Sequence, residues 1–251
     1  MIIISGDNFD ISTLINDYPV GSVERQLLQK MSTSGEKYRY DSLNDLKFEL
    51  RLRNELINAS RALDKSKFSF ATFYDSRANN KYWNRTSNGG FRLKDGVKPS
   101  DAINDIFING NLYATECASA MVIVLYKALL NVYGEALFNK TFDKIYIMNW
   151  HSLDSKIQEF GFPKKVKELL LGDRAYFDNP DVNPRTPEWQ GENVIILPDG
   201  LYYGHGVGIG NAERIIRALN SNRRRNASRS AYLMDVASRP NYKKLAKIYY
   251  R

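Results

Sequence analysis

The run Ala-Ser-Ala-Met-Val-Ile-Val-Leu-Tyr-Lys-Ala-Leu-Leu, residues 118–130, constrains this chain more than any other segment. It has no polar face to offer water, so as a helix it must be buried, and the fold must be built around it. Lys127 interrupts it at about half the ~20 residues that a membrane span needs, which predicts a core helix and no membrane partner. Immediately before it stands Gly-Asn-Leu-Tyr-Ala-Thr-Glu-Cys, residues 110–117, with the chain's single cysteine. Thr115 is suited to cap the helix, with Glu116 in the first turn and Cys117 beside it. A thiol there meets the positive end of the helix dipole, which favours the nucleophilic thiolate. Such chemistry requires a base from elsewhere. The bland alternative is a cysteine serving as a small buried hydrophobe.

With 251 residues, 43% of them hydrophobic and 12% aromatic, the chain can bury a large core, and its length suits one domain, residues 1–251. One cysteine forms no internal disulfide, so a reducing compartment and cytoplasmic synthesis are expected. The opening Met-Ile-Ile-Ile-Ser-Gly-Asp reads as a short strand ending in a turn, without the basic and long apolar parts of a signal peptide. The net charge of +8 implies a solvated basic surface, and no nucleic-acid motif accompanies it, so no nucleic-acid partner is expected. Two histidines and one cysteine without close spacing match no zinc pattern, and no metal site is expected.

Taken in order, residues 16–45 are polar and irregular, and residues 42–63 form a long amphipathic helix capped by Ser42. The aromatic segment 68–74 precedes a hairpin over residues 82–93 that turns at Asn88-Gly89-Gly90. Pro99 and Ser100 open a short helix over residues 101–109, and Gly134 marks an end for the cysteine helix. A strand is predicted over residues 143–151. Residues 152–187 are loop-rich, with 179–184 on the surface. Pro198-Asp199-Gly200 turns a second hairpin that carries Glu192 and His205 on its two arms, able to approach if the register allows. A helix over residues 211–219 leads into the basic tract 220–229, read as solvated, and a helical tail closes the chain. His151 and His205 compete as the base for Cys117, the second among glycines that let another group approach, and both also have a structural reading.

Tyr113-Ala-Thr-Glu-Cys-Ala-Ser-Ala, Asn149-Trp-His, Trp189-Gln-Gly-Glu-Asn-Val-Ile-Ile-Leu and Gly204-His-Gly-Val-Gly, in this order and at these intervals, resemble the bacterial spore-coat transglutaminases. Phe68-Ser-Phe-Ala-Thr-Phe, Leu171-Gly-Asp and Ser230-Ala-Tyr-Leu extend the likeness almost end to end. The resemblance implies an α+β fold with an NlpC/P60-like, papain-like core, in which the nucleophile helix packs on an antiparallel sheet. It implies a calcium-independent monomer without cofactor, made in the mother cell and deposited on the spore coat. Its partners would be glutamine- and lysine-bearing proteins, coat proteins among them. It puts the nucleophile on Cys117, the partner carboxylate on Glu192 and a partial alternative on Glu116. Where the family is expected to carry Asp, this chain has Asn149.

The chemistry so implied is attack of a thiolate on a glutamine carboxamide, loss of ammonia to a thioester, and aminolysis by lysine to an isopeptide bond. Ordinary thiol and Glu values of about 8.5 and 4.3 make proton transfer from Cys117 to Glu192 roughly 6 kcal/mol uphill, so the site must close that gap. Backbone amides around Cys117 are the natural oxyanion donors, with Asn193 or an indole N–H as an addition. An apolar tunnel would hold the lysine neutral and exclude water, and Trp150, Trp189 and Phe70 are the candidates for its walls. Two other readings stand beside this one: a papain-like amidase or peptidase pairing Cys117 with His205, and a non-catalytic basic coat component.

Overall fold

In the computed structural model, which describes residues 1–5 and 10–251, the apolar stretch after Cys117 is a core helix with the rest of the chain laid around it. The first strand, β1 (Ile2–Ile4), pairs in parallel with β2 (Tyr38–Tyr40); the turn expected at Gly6 and Asp7 lies outside the described residues. Between them stand α1 (Ile11–Asn16) and, within the stretch 16–45 whose polar composition suggests irregular chain, α2 (Val23–Thr33). The Ser22 hydroxyl caps α2 by accepting from the Arg25 amide, and Leu27, Leu28 and Met31 suffice to bury one face in a small second core with Leu14, Leu46 and Leu50.

Helix α3 (Leu43–Lys65) starts at its expected cap, Ser42, which accepts from the Asp45 amide. Strand β3 (Ser69–Phe70) follows, and β4 (Trp83–Arg85) and β5 (Phe91–Leu93) form the expected hairpin. At its turn Gly89 has φ +89°, and a Cβ there would stand 2.3 Å from the Phe73 carbonyl oxygen, so only glycine fits. Helix α4 (Pro99–Ile108) leads to β6 (Ala114–Thr115), which pairs in parallel with β3.

Helix α5 (Cys117–Thr141) then runs through the main core and packs on α3 and α4, with a break in helical geometry at Gly134 where an end had been expected. By length and composition it could cross a membrane, but 78% of its most apolar window is buried inside the protein. Of the strand expected over residues 143–151, only β7 (Tyr146–Ile147) pairs, with β5, and the chain turns at Asn149, which holds φ +53°.

The loop-rich reading of residues 152–187 missed β8 (Lys164–Lys165) and β9 (Arg174–Asp178), the latter too short and too polar at its ends to announce itself. Strands β10 (Gly191–Ile196), β11 (Leu201–Gly204) and β12 (Gly208–Asn211), helix α6 (Ala212–Asn220), strands β13 (Tyr232–Leu233) and β14 (Val236–Ala237) and helix α7 (Tyr242–Tyr249) complete the chain. Five of these strands make one antiparallel sheet in the order β12-β11-β10-β9-β13. Ile195, Leu197 and Tyr203 join the core around α5, while Val194, Ile196 and Phe177 pack with Ile215 and Leu219 of α6. This is a mixed helix and sheet fold with the cysteine helix against an antiparallel sheet.

Two buried aspartates hold the outer parts. Asp181, expected on the surface, is buried and accepts from the backbone amides of Ser228 and Arg229 at 2.9 Å each and from the Arg224 and Arg229 guanidinium groups, so the basic tract is anchored at its base while its arginine side chains stay largely solvated, as expected. Asp173 is fully buried between Arg53 of α3, at 2.8 Å, and Arg239, which reaches both its oxygens at 2.8 Å. Burial opposes its charge, but Arg53 and Arg239 overcome that cost and hold the carboxyl below its usual range. Replacing Asp173 with Asn leaves Arg239 without its anion and the fully buried Arg53 with Glu49 alone, at 2.8 Å, and should cost about 3–5 kcal/mol in urea unfolding; a loss below 1 kcal/mol would show that the ion pairs with Asp173 are dispensable.

Candidate active site

Cys117 is the first residue of α5, and Glu116, not Thr115, is the cap. Thr115 is held in the β6–β3 pairing opposite Phe70, so the helix can begin only after it. The Glu116 carboxylate folds back to accept from the Ala118 amide at 2.5 Å and the Ser119 amide at 2.7 Å. Two of the free amides at the helix start are therefore already used. That narrows the expected oxyanion donors to the Cys117 amide, which makes no hydrogen bond among the described residues, and to side chains.

The principal side chain is Asn193 of β10. Its Nδ2 donates to Cys117 Sγ at 3.4 Å, and its Oδ1 accepts from Arg174 Nη1 of β9 at 2.6 Å. A guanidinium has no lone pair to offer, so the amide must turn its oxygen to Arg174 and its nitrogen to sulfur. Cys117 keeps part of its surface exposed, yet the sulfur environment is not the thiolate-favouring one expected from the helix dipole alone. Burial, followed by the charges of Glu192 and Glu116, pushes the thiol up to about 12, against which the Asn193 contacts act.

Glu192, next to Asn193 on β10, is 4% exposed, and its Oε1 has no hydrogen-bond partner among the described residues. It packs over Gly204 so tightly that a Cβ there would come within 2.9 Å of Cγ and Oε1. Burial, and then the Glu116 charge, raises its carboxyl well above the ordinary range. Glu116 is raised by burial too, with its bonds to Ser119 and Ala118 pulling the other way.

Glu192 and His205 do not meet as facing partners. The register pairs Val194 with Gly204, so continuing it sets His205 level with Asn193 and leaves Glu192 one step beyond. His205 is buried, with Nε2 3.1 Å from the Ser69 carbonyl oxygen and 3.2 Å from that of Thr115, Nδ1 3.4 Å from the Tyr203 hydroxyl, and its ring stacked on Phe68 at 4.8 Å. Two carbonyl acceptors at Nε2 require the N–H there, and burial lowers the ring to about 4, so it is a neutral histidine that ties β3 to β6 just before Cys117.

Cys117, Glu116 and Asn193 open onto a cleft of about 600 Å³, walled by Phe70, Trp150, Tyr176 and Pro163 among others. The cleft is partly open to solvent rather than a closed tunnel. Asn149 and His151 line it too; the Asn149 amide donates to Ser119 Oγ at 2.9 Å, and the Asn149 side-chain oxygen accepts from the Trp150 amide. Asparagine suits this left-handed turn and keeps the acceptor that an aspartate would supply, without its charge. Trp189 is not a wall: it stands against Phe70, ring centroids 6.4 Å apart. Arg174 and Tyr176 were not singled out in the sequence. In a chain with 36 basic residues, one arginine at the edge of an unrecognised strand carries no signal of its own.

The protein-glutamine gamma-glutamyltransferase family model matches residues 1–249. Curated relatives of that name include one from Bacillus cereus, 43% identical over 240 residues that cover 95% of this chain and 86% of the relative. Another, from Halalkalibacterium halodurans, is 38% identical over 95% of this chain and 82% of its own length. The solved transglutaminase from Geobacillus stearothermophilus, without its C-terminal extension, superposes with a TM-score of 0.78 at 46% identity, covering 83% of this chain and 98% of the other. A match of this length, on a chain whose lone cysteine heads a buried helix at a cleft, shows that the protein belongs to the protein-glutamine γ-glutamyltransferases and is an acyltransferase that joins glutamine to lysine side chains.

Proposed function

We propose that Cys117 is the nucleophile and Glu192 its proton acceptor, in an enzyme that cross-links spore coat proteins. The observation that carries the assignment is a thiol at a helix start, bonded by Asn193, with a buried carboxyl, Glu192, whose Oε1 lacks a partner among the described residues and whose charge acts on the thiol although it does not line the cleft. Transfer of a proton from Cys117 to Glu192 leaves the net charge of the pair unchanged. Burial therefore raises both groups and largely cancels in the transfer. What remains favours the thiolate: Asn193 donates to sulfur, whereas nothing donates to Glu192 Oε1. This narrows the gap of roughly 6 kcal/mol that separates the unperturbed groups.

In this reading the thiolate bonds to the glutamine carboxamide carbon and the carbonyl electron pair moves to oxygen, facing the Cys117 amide and Asn193 Nδ2. Collapse breaks the C–N bond, and the proton held by Glu192 leaves with ammonia. A neutral lysine amine attacks the thioester and gives a proton to Glu192 as the C–N bond forms; collapse breaks the C–S bond to leave the isopeptide, and the proton passes from Glu192 to sulfur, restoring the thiol. Trp150 and Phe70 would keep that amine neutral and water scarce. Glu116 serves chiefly as the cap that holds the nucleophile in place. The pairing of Cys117 with His205 gains no support from a ring bonded to the Ser69 and Thr115 carbonyls.

The spore-coat role, mother-cell synthesis, monomeric state and calcium independence rest on the resemblance carried by the motifs around Cys117, Glu192 and His205. The same holds for an NlpC/P60-like core and for residues 1–251 acting as one domain, with which a cysteine helix on an antiparallel sheet agrees.

Incubated with coat extracts, the protein should generate Gln-Lys linked peptides by mass spectrometry, and Cys117→Ala should abolish them while the chain stays folded. Glu192→Gln should lose most of kcat, and Glu116→Gln less, its loss accompanied by a fall of about 1 kcal/mol in stability from the weakened cap; the opposite order would reassign the base.

The pair must shed one proton to react, and burial raises both of its members. The limb of kcat/KM that rises with pH should therefore have its midpoint above the usual carboxylate range, and a profile flat from pH 5 upward would contradict it.

Chelation with EGTA should leave the rate unchanged; a loss restored by calcium would refute calcium independence.

A further inference from the structure

Arg174 is 4% exposed and, among the described residues, is the only lysine or arginine that lines the cleft. Each of its three nitrogens donates once: Nε to the Phe160 carbonyl oxygen at 3.1 Å, Nη1 to Asn193 Oδ1 at 2.6 Å and Nη2 to Ser238 Oγ. The Trp150 ring lies against it, 4.1 Å from centroid to Cζ, and Phe160 follows at 5.6 Å. Yet no carboxylate lies within ion-pair distance among the described residues, in contrast to Arg53 and Arg239, which share Asp173. A buried cation without an anion is costly, and folds seldom keep one unless a charge appears beside it at some stage. The neighbouring group that can become anionic during the reaction is Cys117, whose thiolate would favour the guanidinium charge, as would an ionised Tyr176.

We propose that Arg174 is a positioning residue of the transglutaminase reaction: it fixes the Asn193 amide with its nitrogen toward sulfur and supplies the positive charge that the thiolate, and then the carbonyl oxygen of the tetrahedral adduct, neutralises. Arg174 keeps all its protons throughout and takes no part in bond making or breaking. It also clamps Trp150, so the same guanidinium orders the donor and one wall of the cleft. Nothing in the order of residues foretells this, since the anchors come from residues 160, 193 and 238. The inference rests on Cys117 being the nucleophile.

The test reads the sulfur directly. The groups that face Cys117 are Glu116 from its own helix, Glu192 and Asn193 from β10, and Arg174 and Tyr176 from β9, with His151 and Glu188 lining the same cleft. In the full-length chain, the pH midpoint for iodoacetamide alkylation of Cys117 should rise by about one unit or more in Arg174→Gln, and kcat should fall about 100-fold at nearly constant KM. Arg174→Lys keeps charge without the fork, so its alkylation midpoint should stay near that of the wild type while kcat remains depressed. A folded Arg174→Gln protein with wild-type midpoint and kcat would overturn the proposal.

Should Arg174→Gln fail to fold by thermal unfolding, Asn193→Asp supplies the second arm. It gives Arg174 a carboxylate and turns an anionic oxygen toward sulfur, so the midpoint should rise and turnover should be lost; an unchanged midpoint would overturn the proposal. An active Cys117→Ala protein would sink the nucleophile assignment itself. An inactive one, combined with wild-type alkylation in Arg174→Gln, sinks only the role of Arg174.

Discussion

A helix buried along its sides has only its ends to offer to solvent or substrate. Helix α5 is such an element, packed on α3, α4 and β10, and its N-terminus is the end that reaches the cleft. Orphan amides concentrate there, and buried amides must be satisfied. Glu116 accepts from two of them, which makes a carboxylate a fixed part of the surroundings of Cys117. The second carboxylate, Glu192, then has to be accommodated in a region already negative. Both carboxyls are driven upward, and so is the thiol.

The site's electrostatics follow from that crowding. A histidine base would bring a positive charge when protonated; a carboxyl base becomes neutral, so the pair with Cys117 passes through no separation of opposite charges. The cost is a thiol whose ionisation burial and the two carboxyls oppose. Relief comes from the side of the sheet, where Asn193 donates to sulfur and is itself aligned by Arg174. His205, freed from catalysis in this scheme, contributes by tying together the two short strands that deliver Glu116 and Cys117.

Strand β9 links this site to the rest of the fold. Asp173, just before it, is clamped by Arg53 and Arg239, and Arg174, its first residue, faces the site. Adjacent residues in extended chain point to opposite sides. One anchored by a buried ion-pair network therefore orients the other, and the position of Asn193 depends on both strands of the β9–β10 pair.

Local chemistry was enough to read several elements from residues alone. Ser42 at the start of α3, the glycine turn between β4 and β5, the Pro198-Asp199-Gly200 hairpin and the buried character of α5 all express short-range preferences. The same preferences misled where two local solutions competed: Thr115 is a better cap by type than Glu116, but strand pairing claims it. In β9 the buried Ala175 and Phe177 are too few to outweigh the polar Arg174 and Asp178. The candidate nucleophile, the candidate carboxylate and the family were legible because the motifs lie in continuous stretches. Which side His205 faces, the exclusion of Trp189 from the cleft, and the link from Arg174 through Asn193 to Cys117 were decided only in three dimensions. Alternation along a strand says which residues share a face but not how strands are set against each other, and the contact between Asn193 and Cys117 joins positions 76 residues apart.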